Sequence, residues 1–141
     1  LTNDFGSPVG DGWDNVVIVD NFKSKRGGAS LDTKTIAFPK PWIRAGHVIL
    51  KRTADGEFVP MPLNGAGTAY AALPAGHTYY GILLNTISVD RPFAGIMLAG
   101  TVNPKVINPQ AGYYDIAPIL GAVQTAFRAI DNHIQFKGDN E

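Results

Sequence analysis

Three histidines, His47, His77 and His133, are the side chains best able to ligate a metal or shuttle a proton near neutral pH. They stand far apart, and none falls in an HExxH-type pairing that would set two imidazoles on one helix face. His47 follows Gly46 and His77 follows Ala75-Gly76, so both read as strand-edge residues. A hydrolase triad needs an activated hydroxyl or thiol. Ser7, Ser24, Ser30 and Ser88 all fall in turn-forming stretches, no Gly-x-Ser-x-Gly elbow occurs, and cysteine is absent from the sequence. Gly65-Ala66-Gly67 lacks the further glycine and the strand–helix setting of a dinucleotide loop, and there is no Walker lysine motif. Asp55, Glu57, Asp90 and Asp115 could converge in space as an acid–base pair. Asp55 and Asp90 already suit turns, however, and Asp115 a helix cap. The expectation is therefore no catalytic residue, no metal and no cofactor.

Recognition chemistry is better represented. Tyr70, Tyr79, Tyr80, Tyr113 and Tyr114 could build a platform for stacking sugars, although adjacent strand tyrosines commonly point to opposite faces. Trp13 and Trp42 lie in Gly- or Pro-rich stretches outside any strong periodic element. Each is either stapled to its own domain or an anchor on a partner, a role in which Trp is enriched. Charge is segregated along the chain. The opening residues carry Asp4, Asp11 and Asp14 without a base, whereas Lys23, Lys25, Arg26, Lys34, Lys40, Arg44, Lys51 and Arg52 crowd the region that follows.

The elements that must position these groups are short. The chain has 141 residues, the size of one domain, with 45% apolar residues to form a core. Charged residues are only 17%, and 16 Gly with 10 Pro favour many tight connections over long helices. Twelve bases balance twelve acids, which argues against a general nucleic-acid binder. No apolar run approaches the roughly 18 residues that span a bilayer, so no membrane partner is expected.

Residues 1–38 read as an extended N-terminal arm with a basic loop, KSKRGGAS at Lys23–Ser30, and one apolar run at Val16–Val19. From 39 to 141 a compact β domain is expected. His47–Arg52 forms a strand, Asp55-Gly56 a hairpin turn, and Phe58-Val59 with Met61 a return that Pro60 and Pro62 confine to an edge. Tyr79–Leu84 is a second strong strand, and Phe93–Leu98 leads on to Gly100–Asn103. Strands at intervals of about ten residues suggest a small sandwich or barrel. An amphipathic helix is predicted at about 115–132, with Leu120, Val123, Phe127 and Ile130 on its apolar face, and His133–Phe136 closes as a short strand. The fold class is thus mainly β, a small sandwich- or barrel-like domain with one C-terminal amphipathic α-helix.

The order of motifs from Trp42-Ile43-Arg44-Ala45-Gly46-His47-Val48, through Tyr80-Gly81-Ile82-Leu83-Leu84-Asn85, to Ala94–Asn103 resembles the tailed-phage head decoration and head fibre proteins. In that family a G-I-L-L strand precedes a G-x-V-N strand. The closing helix and His133-Ile134-Gln135-Phe136 are also similar to the end of the family, and the likeness covers roughly Ile43–Phe136. The chain departs from the pattern in a longer basic N-terminal section and an inserted loop at Asn64–Gly76. The resemblance implies a homotrimer on the exterior of a virion capsid, a structural protein that clamps the major capsid protein and is not an enzyme. Under that implication Trp13, Val17, Val19, Phe22, Lys23, Lys25 and Arg26 are the expected capsid contacts. Leu120, Val123, Phe127 and Ile130 belong to the core or the trimer seam. A host-surface glycan bound through exposed tyrosines such as Tyr79 or Tyr113 is the alternative partner.

Overall fold

A computed structural model describes residues 18–36, 38, 41–63, 70–102 and 134–136. These residues form ten strands: β1 (Ile18–Ser24), β2 (Ala29–Ser30), β3 (Trp42–Ile43), β4 (Val48–Arg52), β5 (Phe58–Pro60), β6 (His77–Leu83), β7 (Ile87–Ser88), β8 (Phe93–Ala94), β9 (Ile96–Val102) and β10 (Ile134–Phe136). The main sheet has the order β1-β9-β6-β4-β5, with β10 also paired to β9; β2–β8 and β3–β7 are two-stranded ribbons. The fold is mainly β, and every strand pair is antiparallel except β10 with β9.

Side-chain alternation explains why this sheet is covered on both faces. Val48, Leu50, Ile82, Met97 and Val102 point to one face, where Met61, Tyr70 and Ile134 complete a buried cluster. Ile49, Leu83 and Ile96 point to the other, meeting Leu31, Ile43 and Ala94. Period-two alternation of apolar residues on both sides is what a central strand buried on two faces requires. The outer prolines agree with the topology. β5 ends at Pro60 and is the last strand of the path, where a missing N–H breaks no ladder bond.

Two glycines carry specific duties. The turn between β4 and β5 closes with Gly56 N–H donating to the Arg52 carbonyl at 2.8 Å. Gly56 has φ of 75°, which a residue with a Cβ adopts only at a cost. At Gly81 the reason is contact: an added Cβ would lie 2.5 Å from the Met97 carbonyl oxygen and 2.6 Å from Ile96 Cγ2. Gly81 thus lets β6 and β9 approach where they pair through Ile82↔Met97 and Leu83↔Ile96.

Two features differ from the sequence reading or lie beyond the description. Residues 18–30, assigned from sequence to the arm, are integrated in the domain, because β1 pairs with β9 and β2 with β8. The predicted helix at 115–132, with Leu120, Val123, Phe127 and Ile130, lies outside the described residues, as do Trp13 and Val17.

Candidate functional site

The segment from Ile18 to Leu31 runs antiparallel beside 92–102 as one interrupted ladder. Ile18 opposes Val102 and Ser24 opposes Met97. Beyond them Lys25 N–H donates to the Ile96 carbonyl at 2.8 Å, Ala29 opposes Ala94, Ser30 opposes Phe93, and Leu31 N–H reaches the Pro92 carbonyl at 2.8 Å. The basic stretch Lys25-Arg26-Gly27-Gly28 is an excursion from this ladder, closed by Gly28 N–H to the Lys25 carbonyl at 3.1 Å. Gly27 and Gly28 have φ of 77° and 67°, so the paired glycines in the sequence are what permits the tight turn.

This edge carries five of the residues expected to meet a partner. Val19, Phe22 and Lys23 stand exposed on β1, Phe22 at 74% and Val19 at 38%. Lys25 is half-buried and Arg26 exposed in the excursion. Past Ile18 every β1 residue is exposed, and three register shifts interrupt its pairing. Bulges and charges of this kind keep an edge strand from indiscriminate pairing. Phe93, 71% exposed on β8, belongs to the same edge and was not singled out from sequence. Ala94 and Ile96 close by in the pattern are buried, whereas Phe93, opposite Ser30, faces outward.

A second group gathers around Phe58 on the adjoining sheet face. Lys51 directly opposes Phe58 across β4 and β5, which places both side chains on one face. Its Nζ lies 5.9 Å from the Phe58 ring centroid and 5.8 Å from that of Tyr80. Lys25 Nζ sits 5.5 Å from the same Phe58 centroid. The two rings are 4.6 Å apart at 54°. Tyr80 is the extra residue of a bulge, since Ile49 opposes Gly81 while Leu50 opposes Tyr79. Partial burial raises its phenol pKa.

Beside this cluster, Leu31 bridges Phe58 and Asp32 N–H donates to the Phe58 carbonyl at 2.8 Å. Asp32 then fastens the corner. Its Oδ1 accepts from the backbone N–H groups of Lys34 and Thr35, each at 3.0 Å, and its Oδ2 pairs with Arg52 Nη2 at 2.6 Å. The Thr35 hydroxyl, Arg52 and these N–H groups hold the carboxyl well below the ordinary carboxylate range. Asp55 is lowered too, by the Glu57 N–H first and Arg52 second, and both carboxylates raise the Arg52 pKa.

Asp32 and Asp90 both line a cleft of about 330 Å³ with Lys34. An acid–base pair needs one carboxyl raised to carry the proton. Asp32 is displaced the other way and both of its oxygens are engaged, so it acts as a clip. A more open hollow of about 480 Å³ along the edge is lined by Gly27, Gly28, Ala29, Ser30, Phe93 and Ala94, none of them titratable.

Among the described residues, His47, His77 and the tyrosines take other positions than a site would need; His133 lies outside the description. His47 is 1% exposed, its Nε2 is 2.8 Å from the Met61 carbonyl, and its ring sits edge-on to Phe38 and Tyr70. His77 opens β6 with Nδ1 3.0 Å from the Ala75 carbonyl. Tyr70 is buried, its hydroxyl accepting from Val48 N–H at 3.1 Å, and burial pushes its phenol pKa well up. Tyr79 and Tyr80 pack against opposite clusters. These three tyrosines therefore do not share a platform. Tyr113 and Tyr114 lie outside the described residues. Among the described residues no group of three potential metal ligands converges.

Comparison with family models, with curated proteins and with solved structures gives no match.

Proposed function

We propose that this chain is a structural virion protein that decorates the outside of a phage capsid as a homotrimer, binding the major capsid protein through the β1 edge. The fold of this reading is a sandwich- or barrel-like domain, with an N-terminal arm preceding β1 and a C-terminal helix contributing Leu120, Val123, Phe127 and Ile130 to core or seam. The observation that carries it is the exposure of Phe22 and Val19 on an edge strand that runs directly into the Lys25–Gly28 excursion. Large aromatic residues in the open, flanked by charge, suit a docking surface of the anchor-and-rim kind. An edge strand further offers backbone donors and acceptors to a partner's strand. Three such edges on one trimer bind a shell by avidity, so each can be weak.

Cosedimentation of the full chain with undecorated heads tests this reading. The double substitution of Val19→Asp and Phe22→Asp is expected to weaken head binding at least tenfold while preserving the trimer and the circular dichroism spectrum. Binding at the unaltered affinity would remove the edge from the contact. A monomer by sedimentation equilibrium would remove the trimer.

A further inference from the structure

The Phe58–Tyr80 pair is roofed by two ammonium groups. Lys51 rises from β4 and Lys25 from the edge excursion, so the two cations reach the same ring from separate elements. The bulge at Tyr80 brings the second ring beneath Lys51. Neither lysine has a carboxylate within ion-pair distance among the described residues, whereas the adjoining Arg52 has two, Asp32 and Asp55. Carboxylates are therefore at hand in this corner but are directed to the guanidinium.

Two like charges held near one ring repel each other, and a ring face lowers the freedom of the long lysine stem before any ligand arrives. Both effects favour an incoming anion: it relieves the repulsion and meets cations already placed. The kind of anion follows from the same geometry. The ammonium groups lie over the rings, so these faces are not free for a nucleobase or a sugar to stack on. Lysine supplies separate point charges without the planar fork that grips a single carboxylate or phosphate in two-pronged fashion, so the pair suits charges spaced along a chain. Carboxylates spaced along an extended segment can each meet one ammonium.

We infer that Lys25, Lys51, Phe58 and Tyr80 form a receptor for an acidic peptide segment, whose carboxylates engage the two ammonium groups held on the aromatic pair. Resting on the decoration reading, the segment belongs to the shell subunit that the β1 edge meets. It is a different part of the interface from Val19 and Phe22, governed by charge where that part is governed by apolar contact.

Titration of the ¹⁵N-labelled full chain with a capped peptide of alternating glutamate and alanine tests the inference. Controls are the glutamine counterpart and an oligothymidylate. Shifts of the amides of Lys51, Phe58 and Tyr80 are expected with the glutamate peptide alone, weakening as salt is raised. Lys25→Gln with Lys51→Gln should weaken binding at least tenfold, and Lys51→Arg, which keeps the charge, should retain most of it. Both lysines are at the surface or half-buried, and the unperturbed amide spectrum elsewhere reports an intact fold. Absence of shifts, shifts unchanged in the double variant, or tighter binding of oligothymidylate would each overturn it. Peptide binding by a chain that ignores heads would instead defeat only the decoration reading.

Discussion

At the scale of single residues, the corner around Asp32 and the contact at Gly81 make the sharpest claims. Asp32 is stabilised as a carboxylate by Thr35, Arg52 and two backbone N–H groups, so its pKa is lower folded than unfolded. A group displaced in that direction contributes stability above its unfolded value, about pH 4, and loses it as the pH falls toward the folded value. Asp32→Asn should therefore be less stable than the parent at pH 7, with the gap closing from about pH 5 downward; urea midpoints across that range measure it. Gly81→Val drives a branched side chain into the Met97 carbonyl and Ile96. Overpacking of this kind costs about 1–3 kcal/mol, read as a lower denaturation midpoint. The importance of Gly81 was not readable from the motif Tyr80-Gly81-Ile82-Leu83. The requirement comes from β9, which is distant in sequence.

At the scale of elements, local rules gave the strands and long-range pairing gave their roles. The apolar run at Val48–Leu50, the Asp55-Gly56 turn and the prolines after Val59 specify a hairpin and its edge position, and the structure has both. The hairpin register also sets Lys51 against Phe58, a juxtaposition legible in principle from the turn alone. Tyr80 joining them was not, because a bulge shifts parity without a sequence mark of its own. The basic loop at 23–30 was legible in composition but not in role. Nothing local shows that its flanks pair with β8 and β9. Ile49 and Ile82 are fully buried on opposite faces of the sheet. Replacing either by Ala should cost about 2–5 kcal/mol in chemical denaturation. Comparable losses at both would show that the two faces support one cooperative unit.

For the whole molecule, the pairing of β1 moves the boundary between arm and domain. A chain beginning at residue 18 keeps the full ladder against β9, whereas one beginning at residue 31 removes both β1 and β2. The first is expected to retain the parent's thermal midpoint within a few degrees, and the second to lose cooperative unfolding; differential scanning calorimetry distinguishes them. The mainly β character was legible at this scale because Gly, Pro and apolar spacing all favour short strands. The outward-facing side chains were not, since exposure depends on which residues the finished sheet leaves uncovered. Exposure of Phe22 on the same strand as half-buried Ile18 is a property of the β1 edge and not of the residue types.

The parallel entry of β10 bears on how the molecule comes into being. Gly100–Val102 presents one margin to β1 and the other to Ile134–Phe136. A hairpin cannot supply that second margin, because a parallel neighbour must return through a crossover. During synthesis, strands β1 to β9 emerge before the segment that completes them, so this stretch of β9 waits until Ile134–Phe136 has followed. A newborn chain thus passes through an interval with an open backbone ladder, in which premature pairing with a neighbouring nascent chain competes with its own completion.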